Sequence, residues 1–400
     1  MDHDAPRRRD AALTTAPSLS SSLILDPAVV VARPLSVGTS KPPGNGGRDF
    51  NAAAHGLRGL ASLMVLAAHI IGGTARHIYP DNPGYVEAVR NPWYLGTFGV
   101  QLFFVISGFV ILPSALRYAP REFGLRRFLR LYPLFFVLSL VFIAMNAATN
   151  AYPKLDTWTA IFAGLTFLNL FTGTEQLTPN AWSLTYEVMF YLLMYAIVEF
   201  AVRRRALFAG SVAVVAGLVF VVAFPMAIYF VMGAAIRLLG QRSTKPLAHA
   251  RWIEAPCLLL TIAFASRGHF EYRWEDFSDP VVIPIIVSTG LYFYFAVLPN
   301  SLTCMALDNR VMRYFGTVSY SLYLVHPYVY YLVRSAFSRA GWFTADVTTS
   351  IGLFALAVVA LTIPATHLIH VSLELWPYQR FFRQKIYRKE SASRGAGEAA

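Results

Sequence analysis

Long apolar runs separated by short polar or charged segments fill most of the chain between residues 50 and 375. Many of the runs approach the 20 or so residues that a helix needs to cross the hydrocarbon of a bilayer. None of them alternates with the period of two that a membrane β-barrel requires. The pattern therefore predicts an all-α, polytopic membrane protein with about ten transmembrane helices. The predicted spans are 55–75, 93–116, 128–147, 181–201, 206–222, 224–240, 252–267, 281–299, 315–337 and 347–372.

A further apolar segment, "WTAIFAGLTFLNLF" from Trp158, is shorter than these spans. If it crossed the membrane, the cluster Arg203–Arg205 would fall on the outer side, against the rule that Lys and Arg collect in cytoplasmic loops. Treating it as a re-entrant or interfacial segment places the basic clusters on the side of the N-terminus. We therefore expect ten crossings of a bacterial inner membrane, with both termini in the cytoplasm.

The two ends of the chain lack this apolar pattern. Residues 1–49 are rich in Pro, Gly, Ser and Arg and have only a short apolar run, which is broken by Asp26 and Pro27. This composition predicts a disordered cytoplasmic tail, or a start assigned too far upstream, and it lacks the features of a signal peptide. Residues 50–375 then form the transmembrane domain, and residues 376–400 form a basic cytoplasmic tail.

Composition supports the membrane assignment and excludes several other classes of protein. Hydrophobic residues make up 56% of the chain and charged residues 14%. The net charge of +12 does not predict nucleic-acid binding, because the basic residues flank apolar segments and do not gather in one soluble domain. Two cysteines, Cys257 and Cys304, support neither a disulfide framework nor a metal site.

The first predicted span, "RGLASLMVLAAH", begins with Arg58 and ends with His69. At 100° per residue the two side chains lie within about 20° of one helix face, separated by about 16 Å along the axis. A polar residue at the depth of His69 is costly and often belongs to a functional site. The alternative is a buried histidine whose hydrogen bonds are satisfied by a neighbouring helix.

Polar side chains also follow one face of the segment "WSLTYEVMFYLLMY", where Ser183, Glu187, Tyr191 and Tyr195 recur every four residues. A carboxylate in this apolar setting needs a cationic or hydrogen-bonding partner. Glu187 is therefore a candidate functional group. A structural link between two helices would account for it as well.

Two more segments place polar groups near mid-membrane. The motif "FFVISGF" contains Ser107 and Gly108, a small pair that is also typical of close helix packing. In "SYSLYLVHPYVYY" one helix face carries Tyr323, His326 and Tyr330, and Pro327 frees a carbonyl beside the histidine. His326 is thus either a functional imidazole or a local structural element.

The segment "RRFLRLYP" carries Arg127 and Arg130 one helical turn apart at the predicted cytoplasmic surface. Such arginines are common determinants of topology. Together with Arg58 they are also suited to phosphate, because guanidinium groups bind phosphate oxygens bidentately.

The motifs of the first, second, third, fourth and ninth spans, taken together, resemble the acyltransferase-3 family of bacterial membrane enzymes, which O-acetylate exported or surface glycans. The resemblance covers "GLRGLASLMVLAAH", "FFVISGF", "RFLRLYP", "WSLTYEVMFY" and "SYSLYLVHP", from Gly56 to Pro327. The chain departs from the family pattern at His55, where the family has Asp, and at Val188, where a second acid is usual.

The resemblance implies a ten-helix enzyme that uses cytoplasmic acetyl-CoA as the acyl donor, without a metal. Its arginine motifs map onto Arg58, Arg127 and Arg130, which would hold the phosphates of the donor. We expect His69 to act as general base on an acceptor hydroxyl, with Glu187 as its orienting partner. An acyl-enzyme intermediate through His69 or Ser107 is the alternative to direct transfer.

Acceptor binding is assigned to the aromatic and imidazole side chains near the predicted outer half of the membrane. We expect His326 to position the acceptor or stabilise the oxyanion. The remaining candidate substrate-binding residues are Trp182, Tyr191 and Tyr323. The expected partners are the lipid bilayer, a carbohydrate or glycolipid acceptor such as exopolysaccharide, lipopolysaccharide or a lipid-linked oligosaccharide, and glycan-assembly proteins. A macrolide-type small molecule would also present a hydroxyl, and the sequence does not choose among these acceptors.

Two other classes of function compete with this assignment. A proton-coupled transporter or flippase also uses intramembrane His, Glu and Arg, although a proton relay does not explain arginines at the cytoplasmic mouth. A non-catalytic membrane scaffold would predict that replacing His69 affects only stability.

Overall fold

A computed structural model describes residues 50–178, 180–242 and 250–381, and these residues form helices and connecting loops without a β-strand among them. The all-α prediction is thus confirmed. The predicted N-terminal tail and most of the predicted C-terminal tail lie outside the described residues. The α-helices are α1 (Ala52–His77), α2 (Pro83–Thr97), α3 (Gly99–Arg117), α4 (Pro120–Thr149), α5 (Trp158–Leu165), α6 (Asn169–Thr172), α7 (Trp182–Ile197), α8 (Leu207–Ala223), α9 (Ile228–Arg242), α10 (Ala250–Ala265), α11 (Val282–Ala296), α12 (Leu302–Leu307), α13 (Arg310–Ala340) and α14 (Val347–Ile369).

Five helical segments are long and apolar enough to cross a membrane, and a sixth is obtained if α8 and α9 count as one broken span. The axes of these two helices differ by 118°. Helix α11 is apolar but has only 15 residues, which is short for a crossing. The chain is therefore a multi-pass membrane protein, whereas the number of ten crossings stays a prediction. The five segments are Ala52–His77, Pro83–Arg117, Pro120–Thr149, Trp182–Arg203 and Val347–Phe381.

The segment that begins at Trp158 forms two short helices, α5 and α6, of eight and four residues. Eight residues of α-helix extend about 12 Å, far less than the hydrocarbon thickness. The chain turns between the two helices at Phe167, which has a positive φ of 60°. This geometry fits the expectation that the segment does not cross, while its re-entrant or interfacial placement stays a prediction.

Large apolar side chains are exposed along several helices. Leu207 and Phe208 on α8 are 88% and 85% exposed, and Leu368 on α14 is 69% exposed. Water would make such surfaces costly, and lipid does not, so these faces suit contact with the acyl chains of a bilayer.

Glycines set the close packing of the central helices. Helix α1 packs against α2, α3 and α13, and α3 packs against α9. A Cβ on Gly59 would lie 2.8 Å from the backbone nitrogen of Gly316 on α13. A Cβ on Gly108 would overlap the backbone of Phe230 on α9. Gly108 therefore serves close helix packing. This was one of the two interpretations of the pair Ser107 and Gly108 in the sequence.

A π-helical segment follows each of two α-helices, α7 and α14. Val198–Arg203 extends α7, and His370–Leu375 extends α14 before the helix continues to Phe381. π-helical turns are uncommon and are found frequently at functional sites. The second of these segments places His370 and Glu374 at a cavity described below.

Candidate active site

Two cavities lie towards opposite ends of the bundle formed by α1, α3 and α13. The first, of about 570 Å³, is lined by Arg58 and is named the arginine cavity. The second, of about 1530 Å³, is lined by His69 and is named the histidine cavity. Helix α13 likewise contributes Gly316 to the first and Tyr323 to the second. Arg58 and His69 were predicted to lie at different depths along one helix. In the structure they line two separate cavities.

The arginine cavity is strongly basic. Glu374 is the acidic residue among its described lining residues. Guanidinium groups gathered around one space favour a ligand with several phosphates or other anionic groups. The lining arginines are Arg58, Arg117, Arg126, Arg127, Arg130 and Arg237.

These arginines differ in how firmly the protein holds them. Arg127 donates to Ser114 Oγ at 2.7 Å, and its guanidinium lies 5.3 Å from the centre of the Tyr191 ring. Within the described part of the chain, Arg58 and Arg130 make no hydrogen bond or ion pair, although Arg58 lies in the electrostatic field of Glu187 and Glu374. Arg58 and Arg130 therefore have donor groups available for a ligand.

Sequence reasoning found three of the six arginines and missed the other three. Arg117 and Arg126 lie near the ends of α3 and α4, where topology alone explains a basic residue. Arg237 stands within the apolar sequence "AAIRLLG" on α9, and this intramembrane charge was an available signal.

The acidic side of the arginine cavity comes from the π-helical segment of α14. His370 Nδ1 lies 2.8 Å from Glu374 Oε2, and Ser321 Oγ donates to the same oxygen at 2.7 Å. Both His370 and Glu374 are buried. The i, i+4 spacing of a histidine and a glutamate in "HVSLELW" was a signal for this pair in the sequence.

His69, which lines the histidine cavity, packs against His326, which is fully buried behind the cavity lining. Their ring centroids are 4.8 Å apart with an interplanar angle of 74°. His69 Nδ1 lies 2.8 Å from the carbonyl oxygen of Val65, and His326 Nδ1 lies 2.9 Å from that of Leu322. Because a carbonyl oxygen only accepts, Nδ1 carries the proton in both neutral rings. Nε2 is then the atom able to take up a proton.

Asn180, which sequence reasoning missed, links this pair to the start of α7. Its amide nitrogen donates to the Tyr323 carbonyl at 3.1 Å and lies 3.2 Å from His326 Nε2. Its side chain is also within interaction distance of His69. An asparagine in a loop carries no periodic signal, so only the fold reveals this role.

The Tyr323 hydroxyl is held on the same wall, donating to the Asn180 carbonyl oxygen at 3.0 Å and lying 2.8 Å from Ser183 Oγ. Trp182 and Tyr323 both line the histidine cavity. Tyr191 is buried and lies among the lining residues of neither cavity. Of the three candidate substrate-binding residues, Trp182 and Tyr323 therefore lie in a cavity wall and Tyr191 lies in the protein interior.

Ser107, Glu187 and Tyr191 form an intervening layer that lines neither cavity. Ser107 Oγ donates to Glu187 Oε1 at 2.6 Å, and the Tyr191 hydroxyl donates to the same oxygen. We expected Glu187 to orient His69, but the structure gives its carboxylate these two hydroxyl partners. His69 is oriented by the carbonyl of Val65 and by its neighbours Asn180 and His326.

Within residues 50–178, 180–242 and 250–381, no group of three or more His, Cys, Asp or Glu side chains could hold a metal ion. Cys257 and Cys304 are free thiols. The polar groups that the site offers are therefore imidazole, hydroxyl, carboxamide, carboxylate and guanidinium groups.

Comparison with known proteins identifies the family. The model of an acyltransferase domain matches residues 51–368, which include both cavities' contributions from α1, α3 and α13. The chain belongs to the acyltransferase-3 family. This confirms the resemblance drawn from the five sequence motifs, and the protein is an acyltransferase that transfers groups other than aminoacyl groups.

Two curated relatives are similar to this acyltransferase. Acyltransferase MdmB of Streptomyces mycarofaciens is 27% identical over 350 residues, covering 80% of this chain and 89% of the relative. Peptidoglycan O-acetyltransferase OatA of Listeria monocytogenes is 24% identical over 331 residues, covering 70% of this chain. The match spans only 49% of that relative. No solved structure matches the acyltransferase. The family and these relatives support O-acyl transfer as its chemistry.

Proposed function

We propose that this protein is a membrane O-acyltransferase that moves an acyl group, most simply acetyl, from acyl-CoA to a hydroxyl of a surface or secreted carbohydrate. The observation that carries the proposal is that α1 places Arg58 in a strongly basic cavity and His69 in a second one. The eleven residues between them rise about 16 Å along the axis. One rigid helix thus connects an anion site to a base.

The donor fits the arginine cavity by charge. Coenzyme A carries a pyrophosphate and a further phosphate, and the cavity offers six guanidinium groups against one carboxylate. Arg58 and Arg130 would contact the phosphates, and Arg127 would do so while fixed by Ser114. The narrow pantetheine arm would then pass the intervening layer towards His69.

The proposed reaction is direct transfer. His69 Nε2 takes the proton of the acceptor hydroxyl while the hydroxyl oxygen forms the ester bond to the acyl carbon. The bond from the acyl carbon to sulfur breaks, and the leaving thiolate receives a proton from the imidazolium. His326 and Asn180 hold the base in place. Ser107 and Glu187 would order the passage between the cavities.

The proposed setting is a bacterial inner membrane crossed ten times, with both termini and the arginine cavity on the cytoplasmic side. The concentration of arginines at one end of the bundle supports this orientation. The two short helices α5 and α6 would form the re-entrant or interfacial segment. The histidine cavity would then open to the side where surface and secreted glycans are assembled by other proteins.

A carbohydrate acceptor is supported by the relative from Listeria monocytogenes, which is named for O-acetylation of peptidoglycan. For this chain, two arguments support a carbohydrate acceptor. One is the analogy with this relative, and the other is the histidine cavity, whose volume of about 1530 Å³ is large enough for several sugar rings.

The test compares ester-linked acyl groups on surface and secreted glycans from a deletion strain complemented with wild type, His69→Ala or His367→Ala. His367 lies on the exposed side of α14 and lines neither cavity, so its variant is the matched control. We expect esters with wild type and His367→Ala and none with His69→Ala at equal membrane levels. Unchanged ester content in the deletion strain would overturn the proposal and favour a proton-coupled transporter or flippase.

A further inference from the structure

One wall of the histidine cavity is aromatic and lies directly beyond His69 on α1. Gly72 follows His69 by three residues, about 4.5 Å along the helix axis. A Cβ on Gly72 would overlap the indole ring of Trp93 on α2. Gly72 therefore leaves room for the Trp93 ring to approach α1, and both residues line the cavity. The indole is thus fixed one helical turn from His69.

Trp93 is supported from the side by a loop outside the membrane-spanning segments. Its ring centroid lies 5.0 Å from that of His269, with an interplanar angle of 39°. His269 Nδ1 lies 3.0 Å from Thr97 Oγ1, which ties the loop to the end of α2. Burial lowers the pKa of His269, so the ring stays uncharged at neutral pH. The two aromatic rings thus lie side by side in the cavity wall.

Charge distinguishes this cavity from the arginine cavity. Positive and negative side chains balance among its described lining residues. No excess of guanidinium groups is available there to hold an anionic ligand, so an uncharged one is favoured. The lining arginines are Arg76, Arg90 and Arg273, and the lining glutamates are Glu175, Glu271 and Glu275.

We infer that Trp93 is the platform on which the ring of an uncharged hexopyranose stacks, and that this contact selects the acceptor of the reaction. One face of a pyranose presents C–H groups that suit an aromatic ring, while its hydroxyls project from the edge. A sugar lying on Trp93 would place an edge hydroxyl towards His69. The inference rests on the proposed function and adds the residue that recognises the acceptor.

The experiment uses the full chain in membrane vesicles with radiolabelled acetyl-CoA. The acceptor probe is the glycan extract of the deletion strain, freed of esters by mild alkali. For Trp93→Ala we expect the apparent KM for glycan to rise about tenfold, the factor that roughly 1.4 kcal/mol of stacking represents. The KM for acetyl-CoA stays unchanged, and Trp93→Phe keeps most of the wild-type KM for glycan.

Two controls separate recognition from structure. Trp252→Ala removes a tryptophan that is 80% exposed on α10 and does not line the cavity, so it leaves both KM values unchanged. Gly72→Ala displaces the indole and should act like Trp93→Ala, whereas Gly352→Ala on α14, where a Cβ meets open space, should not.

The outcomes distinguish the two proposals. If wild type transfers label to glycan and Trp93→Ala has the same KM for glycan, the platform is refuted while the proposed function stands. If Trp93→Ala changes both KM values equally, its role is structural and the inference also fails. If wild type transfers no label to the glycan extract, the proposed function fails, and the sugar platform with it.

Discussion

The two cavities share three lining helices, α1, α3 and α13, and yet they differ in charge. The arginine cavity gathers six guanidinium groups around one carboxylate, whereas charges balance in the histidine cavity and aromatic rings form much of its wall. Along α1 the change occurs between Arg58 and Val65, about two helical turns. A single bundle can therefore present one ligand site suited to phosphates and another suited to a neutral ring.

The intervening layer explains how these environments remain separate. Ser107 and Tyr191 both donate to Glu187, so two hydroxyls satisfy one carboxylate oxygen away from either cavity wall. The layer also lies close to the arginine cavity, because Arg58 interacts electrostatically with Glu187 and Arg127 lies over Tyr191. The side chains of the intervening layer thus interact more closely with arginines of the arginine cavity than with His69.

The strongest test of the comparison is His69→Gln, which removes the base while leaving a polar side chain at the cavity. Loss of a general base costs about 10²–10⁴-fold in rate. We expect kcat for acyl transfer to fall by at least about 100-fold, with acyl-CoA binding unchanged. Equal loss of donor binding, measured with labelled acyl-CoA, would show that the cavities do not act separately.

Arg58→Ala tests the other cavity. Losing one charged hydrogen bond of roughly 1.5–3 kcal/mol should raise the KM for acyl-CoA about 10- to 100-fold and leave the KM for acceptor unchanged. Arg121→Ala is the control, because Arg121 is exposed at the start of α4 and lines neither cavity. A larger change in the KM for acceptor than for donor would contradict the assignment of the arginine cavity.

Ser107→Ala addresses the layer between the cavities. The variant loses its hydrogen bond to Glu187, and a bond to a charged group of about 1.5 kcal/mol corresponds to roughly a tenfold fall in activity. Direct transfer is compatible with this partial loss. Complete inactivity together with a wild-type acyl-serine adduct, detected by mass spectrometry of protein quenched during turnover, would instead support the covalent route.

We expect Glu374→Gln to have the smallest effect of these four substitutions. It should strengthen the binding of acyl-CoA, whereas Arg58→Ala weakens it. It removes the negative charge that lines the arginine cavity, while the amide can still accept from Ser321. Anion binding should strengthen about threefold at low salt, and the gain should shrink as salt screens the cavity. Weaker acyl-CoA binding, measured by the same titration, would show that Glu374 mainly orders the arginines. Ser372→Ala, on the exposed side of the same π-helical segment, is the control.

Periodicity along single helices could be read from the sequence, and contacts between helices could not. Arg58 and His69 do lie on one α-helix, α1, so 3.6 residues per turn relates their positions as the spacing predicted. The partner of Glu187 was assigned to the wrong neighbour, since the rotation of α7 against α1 and α3 depends on packing. Asn180 was missed for the same reason, because a loop residue gains its role only from the fold.

The number of crossings shows a second limit of sequence reasoning. The predicted spans 206–222, 252–267 and 281–299 correspond to α8, α10 and α11, which have 17, 16 and 15 residues and are short for a crossing. The turn at Pro225–Ala227 before α9 lies close to the boundary predicted between the spans 206–222 and 224–240. Helical class therefore follows from composition, while span boundaries depend on where the backbone bends.

The intervening layer also has an electrical consequence. In the proposed orientation, water enters the bundle from both sides, so most of the membrane voltage falls across the short stretch of protein between Arg58 and Val65. Moving one elementary charge through that stretch involves about 2.3 kcal/mol per 100 mV. Glu187, which accepts hydrogen bonds from Ser107 and Tyr191, places a carboxylate in this stretch. A charge that moved past this carboxylate would therefore respond to the voltage across the membrane.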